Sequence, residues 1–101
     1  MTNTQHTEQI DRLIHEPARL SILAVLANVE EADFVFLLGI TGLTRGNLSA
    51  HLGKLEDSEY LTATRTYDKT PRTTYQLTPT GTHAITKYIT TMETTLQSLR
   101  P

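Results

Sequence analysis

The side chains able to do chemistry are few in this 101-residue chain, and their types exclude more than they admit. There is no cysteine, which removes disulfides, thiolate nucleophiles and thiolate metal sites. The histidines His6, His15, His51 and His83 stand far apart. No Ser–His–Asp set, carboxylate pair, phosphate-binding loop or dinucleotide fingerprint can be assembled. Catalysis is therefore a poor reading, and neither a metal nor an organic cofactor is expected. What remains is anion recognition by cations. Arg45, Lys54, Arg65, Lys69 and Arg72 fall within one central segment, and the planar guanidinium fork suits phosphate oxygens.

The charge distribution sharpens this. The formal net charge is -2, which argues against strong, indiscriminate binding to a polyanion. Residues 1 to 43 carry Arg12 and Arg19 against Glu8, Asp11, Glu16, Glu30, Glu31 and Asp33, whereas residues 44 to 75 carry the five cations against Glu56, Asp57, Glu59 and Asp68. Modest, salt-sensitive binding through one face fits this balance.

The elements that must position these cations follow from periodicity and caps. Thr7 can cap a short helix with Ile10, Leu13 and Ile14 on one face. Glu16-Pro17 restarts the chain, and Leu20, Leu23, Val25, Leu26 and Ala27 predict an apolar helix at the centre of the core. Asp33 caps a third helix that turns Phe34, Leu37 and Leu38 inward, and a short strand can form near Asp33. Gly42 permits the left-handed turn before Thr44, which caps a helix with Leu48, Leu52 and Leu55 on one stripe. Residues 61 to 67 and 72 to 78 alternate as strands, with Leu61, Ala63, Tyr75 and Leu77 inward and Asp68-Lys69-Thr70-Pro71 as the turn. Thr78-Pro79 opens a last helix running to about Leu99. The expected fold class is mainly α with a small β-hairpin.

The stretch from Asp33 to Gly81 resembles the winged helix-turn-helix regulators grouped around the MarR and ArsR families, and especially their short, single-domain relatives. Leu43-Thr44-Arg45-Gly46-Asn47-Leu48-Ser49 with His51-Leu52 and Lys54-Leu55-Glu56 is similar to the family's recognition helix. Tyr60-Leu61 resembles the approach to the first wing strand. Pro71-Arg72-Thr73, Tyr75 and Leu77-Thr78-Pro79-Thr80-Gly81 resemble the return strand and the start of the dimer helix, while Pro17-Ala18-Arg19-Leu20 with Ile22-Leu23 resembles the opening helix. The resemblance implies one winged-helix domain over 1–101: an N-terminal helix (1–15), a winged helix core (16–78) and a C-terminal dimerisation helix (79–101). It also implies a prokaryotic, sequence-specific regulator of double-stranded DNA, expected to be a homodimeric repressor. Two departures matter. Cysteine is absent and His83 has no second histidine nearby, so the metal sensing of ArsR proteins is not carried over. MarR proteins are longer, so their ligand pocket would be smaller or missing here, and no residue pattern supports a small-molecule effector.

On this reading the recognition helix, 44–58, enters a major groove. Its inward leucines leave Gly46, Ala50, Gly53 and Asp57 opposite, flanked by Asn47, Ser49 and Lys54. Exposed glycines cost a helix roughly 1 kcal/mol each relative to alanine. A smooth face suits close approach to a groove about 12 Å wide; a poorly optimised surface is the plainer alternative. The candidate DNA contacts are Thr44, Arg45, Gly46, Asn47, Ser49, Ala50 and Lys54 on the helix and Arg65, Lys69 and Arg72 on the wing, 65–72. Arg45, in the first turn, can reach guanine O6 and N7 or a phosphate. His51 lies nearer the buried edge and reads as packed. A charged hairpin can also simply protect a sheet edge.

The last helix carries Ile85, Ile89, Met92, Leu96 and Leu99 at spacings of four, three, four and three, a seam of the coiled-coil kind. With Ile10, Leu13 and Ile14 these are the candidate dimer contacts. The apolar run Leu20–Ala27 is too short to span a bilayer and the N-terminus lacks a signal-peptide pattern, so no membrane partner is expected and a cytoplasmic location is. The competing reading is a winged-helix module that binds protein and no DNA, which the acidic total favours.

Overall fold

The computed structural model describes residues 9–101. The elements run α1 (Pro17–Leu26), β1 (Ala32–Asp33), α2 (Phe34–Thr41), α3 (Arg45–Asp57), β2 (Leu61–Thr66), β3 (Arg72–Leu77) and α4 (Pro79–Gln97). Side-chain caps begin the four helices of the described residues: Glu16, Asp33, Thr44 and Thr78 accept from the backbone N–H of Arg19, Phe36, Asn47 and Gly81 respectively. Gly42 ends α2 at φ 72°, the left-handed conformation that the tight turn into α3 requires.

The three strands form one antiparallel sheet in the order β1-β3-β2. The wing register pairs Leu61 with Leu77 and Ala63 with Tyr75, which puts the apolar alternates of both strands on the same face. Two-residue β1 adds Ala32 opposite Tyr75. Beneath that face, Ile22, Leu26, Leu37, Leu48, Leu52 and Leu55 are almost wholly removed from solvent and form the centre of the core.

The expected helix bearing Ile10, Leu13 and Ile14 is not formed over the part described; the Thr7 cap, like His6, lies outside the described residues. Residues 9–16 make turns. Asp11 begins a single turn by accepting from the N–H groups of Leu13 and Ile14, and His15 N–H donates to Asp11 O. Pro17 then forces Glu16 out of the helical region, to φ -157° and ψ 129°, which stops propagation. Ile14 is consequently a core residue of this chain, 1% exposed, and offers almost no surface for the expected dimer contact.

The core face of α1 also differs from expectation. Ile22, Leu23 and Leu26 are buried, together with Arg19, while Leu20 and Ala27 face outward. At 100° per residue, positions 19, 22, 23 and 26 share one face, whereas 20, 24 and 27 define a second. That second face borders α4: Leu20, Ala24 and Ala27 with Ile85 and Ile89 line an apolar groove of about 250 Å³. Helix α4 ends at Gln97, so Leu99 lies in the turn beyond it.

Among the described residues, no helix is long and apolar enough to cross a membrane. No group of three His, Asp or Glu side chains among them is arranged to hold a metal ion.

Candidate nucleic-acid interface

Helix α3 is anchored from below and bare above. Leu48, Leu52 and Leu55 are at most 1% exposed, and Thr44 Oγ1 fixes the first turn by accepting from Asn47 N–H at 3.1 Å. Thr44, Arg45, Gly46, Asn47, Ser49, Ala50 and Lys54 are all exposed. A Cβ added at Gly46 or Gly53 would meet nothing within 4 Å, so no internal contact demands a glycine at either position.

Arg45 makes no ion pair among the described residues; its guanidinium carbon lies 5.8 Å from the Phe34 ring centroid. The ring steers the long side chain from below and leaves its donors outward. His51 instead turns toward α1. Its Nδ1 is 3.0 Å from Arg19 Nη1 and 4.0 Å from a Glu16 oxygen. Arginine can only donate, so this ring nitrogen accepts. Arg19 also donates through Nε to the Leu13 carbonyl, which explains how a cation is tolerated at 8% exposure. The Glu16 carboxyl is held below its usual pKa, chiefly by the N–H of Arg19 that it caps.

On the wing the cations are neutralised more fully than their sequence neighbourhood suggests. Two pairs formed through space restrain the wing arginines. Arg65 Nη2 lies 3.3 Å from Glu56 Oε1, with a second contact from Nη1 to Oε2 at 3.4 Å. Arg72 Nε lies 3.3 Å from Asp33 Oδ2, while Oδ1 of the same carboxylate caps α2. Antiparallel pairing carries Arg72 to Asp33, which lies opposite Thr74 on the neighbouring strand, whereas Arg65 reaches from β2 to Glu56 in the last turn of α3.

Arg45, Arg65 and Arg72 nevertheless meet. With Phe34 and Tyr67 they line a cleft of about 250 Å³ between the start of α3 and the wing. Lys69 borders an adjoining depression with Asp33, Asp68 and Arg72. Lys54 and the small residues of α3 line neither. Tyr67 was not foreseen. It is 78% exposed between the wing cations, and an aromatic residue left bare in a charged turn is the signal that could have marked it. Val35, Phe36 and Ile40, on the outer side of α2, are likewise exposed.

Residues 18–96 match the family model described as a winged helix DNA-binding domain, and the chain belongs to that family. No curated protein sequence matches the chain significantly. Among solved structures, a transcriptional regulator homologue from Pyrococcus horikoshii OT3 is 22% identical with a TM-score of 0.87, over 100% of both chains. Diamide-treated YodB from B. subtilis is 19% identical with a TM-score of 0.79, over 89% of each chain. Bordetella bronchiseptica BpsR, whose DNA binding is regulated by 6-hydroxynicotinic acid, is 17% identical with a TM-score of 0.72, over 99% of this chain and 80% of its own. At these identities the structural likeness speaks for the winged-helix fold alone.

Proposed function

We propose that this chain is a sequence-specific regulator of transcription that binds double-stranded DNA as a homodimer and represses by occupying its site. Helix α3 lies in the major groove with Arg45 reading a base or fixing a phosphate, and the wing, 65–72, lies on the backbone or minor groove. The carrying observation is the bare, smooth outer face of α3, led by an arginine without an acidic partner among the described residues, next to a wing bearing three more cations. Occupancy of two successive major grooves requires recognition helices about 34 Å apart, which a twofold pairing through α4 provides.

The test is titration of labelled duplexes selected from a random pool, at several salt concentrations. The wild-type chain should retain a preferred site, with affinity falling as salt rises. Arg45→Ala should lose about 1–3 kcal/mol at that site and relax the preference at one base pair. A wild-type protein with no salt-dependent binding to any duplex would defeat the proposal. The competing reading, a protein-docking module without DNA, is favoured by the exposed Val35, Phe36 and Ile40 of α2 and would then take its place.

A further inference from the structure

Asp33 and Glu56 do not themselves line the cleft, but each is paired with an arginine that does. Both pairs are at the surface: the side chains are 46% exposed for Arg65, 32% for Glu56, 62% for Arg72 and 26% for Asp33. Contacts of 3.3 Å between solvated partners are weak links. Each holds an arginine at the cleft that Arg45 also lines. Among the described residues, the cleft therefore presents one guanidinium without a carboxylate partner and two that are already matched by carboxylates.

We propose that Asp33 and Glu56 are exchangeable latches on this DNA-binding face, and that a backbone phosphate entering the cleft displaces them from Arg72 and Arg65. The proposal rests on the DNA-binding reading and adds to it two acidic residues that set specificity. A phosphate reached by Arg45 alone gains little. A duplex held in register by α3 brings phosphates to the cleft in fixed positions and replaces both carboxylates together. The latches thus raise the threshold for loose electrostatic contact while leaving the ordered complex accessible. This accounts for an acidic chain carrying a cationic recognition face. The aromatic rings of Phe34 and Tyr67 wall the cleft and give a sugar an apolar surface beside the phosphate.

Asp33→Asn and Glu56→Gln remove the charge with little change of shape, and asparagine remains a good cap for α2. Each should tighten binding to a random-sequence duplex roughly two- to fivefold at low salt, the range that loss of a surface pair allows. Binding to the selected site should change less, so the ratio of specific to random affinity falls. A double-mutant cycle separates a latch from a general charge effect. In an Arg65→Gln background, Glu56→Gln should lose its effect on random duplex. Weaker binding by the single variants, no change, or a gain that persists in the Arg65→Gln background each overturns the latch. Those results leave the DNA-binding reading intact as long as the wild-type chain binds its selected duplex. Absence of wild-type binding defeats both.

Discussion

Gly81 offers the sharpest test of how the wing is tied to the terminal helix. It is the third residue of α4, it is buried, and its N–H donates to the capping Thr78 hydroxyl at 2.9 Å. A Cβ built there would lie 2.2 Å from the Tyr60 carbonyl oxygen, 3.0 Å from its carbon and 3.1 Å from the Tyr60 Cα. All three are backbone atoms, so no rotamer change relieves the overlap. To reach ordinary contact α4 must retreat by about 1 Å, in a core packed closely enough for one methyl to be felt. That retreat pulls apart the corner where Thr78 N–H donates to Tyr60 O at 3.1 Å and the Thr78 hydroxyl donates to Glu59 O at 2.6 Å.

The opposing effects can be weighed. Alanine gains about 1 kcal/mol in helix propensity over glycine. Overpacking costs about 1–3 kcal/mol, and each of the two hydrogen bonds that loosens costs about 1 kcal/mol. Gly81→Ala should therefore lose about 2–4 kcal/mol net, a fall in melting temperature of roughly 10–20 °C for a domain of this size. Urea unfolding followed by circular dichroism, at fixed protein concentration, measures it. Gly46→Ala is the internal control, since its Cβ meets nothing within 4 Å and it should gain up to about 1 kcal/mol. If both substitutions stabilise alike, the close approach of α4 to Tyr60 has been misjudged.

Three further outcomes are expected. Glu59 stands at φ 67° after α3, a conformation that costs a side-chain-bearing residue about 1–2 kcal/mol; Glu59→Gly should raise stability by about 0.5–1 kcal/mol in urea titration. Burial, and then the hydrogen bond it donates to Asp11, push the Tyr60 phenol up to about 12, so its contribution is present below pH 10 and is lost as pH rises from 10 towards 12. Full conversion of that shift would be about 2.7 kcal/mol, solvent at this partly open site reduces it to about 1 kcal/mol, and Tyr60→Phe should flatten the alkaline fall by that amount. Ile89 and Leu96 are about half exposed on α4; Ile89→Glu with Leu96→Glu should halve the mass seen by light scattering and weaken operator binding, and a wild-type monomer at micromolar concentration would refute the α4 seam.

Periodic and local signals carried most of the architecture. The leucines of α3 lie four and three apart, the wing strands alternate, and Asp33, Thr44 and Thr78 precede helices that they cap in the structure. Each such feature depends on neighbours within one turn or one strand pair. Helix α1 was harder because apolar residues at 20 and from 22 to 27 surround it on all sides and hide its phase. A charged residue, Arg19, moreover occupies a core-facing position. Over residues 9–16 the expected helix gives way to turns in which Asp11 accepts from the N–H groups of Leu13 and Ile14, a local competition that apolar spacing does not announce. The pairs Arg65–Glu56 and Arg72–Asp33 join residues 9 and 39 positions apart. Only the sheet register brings Arg72 to Asp33, and no periodicity announces either contact.

The two glycines of α3 and the latched wing lead to one conclusion when their costs are compared. A 13-residue helix that carries Gly46 and Gly53 gives up about 2 kcal/mol relative to alanine at both positions. Nothing inside the subunit recovers it, because both Cβ positions open on empty space. Burial of Leu48, Leu52 and Leu55 offsets the loss at roughly 1.5–3 kcal/mol each, so the helix can carry an expensive outer face without unfolding. On the DNA-binding reading, the missing methyl groups let a groove wall approach α3 more closely than alanine would. The adjacent arginines are charged correctly for a polyanion yet are mostly restrained by acids, which disfavours anions that do not also fit the smooth helix. Close approach and restrained charge together favour a partner recognised by shape and register over one recognised by charge alone, and a specific duplex site meets that description.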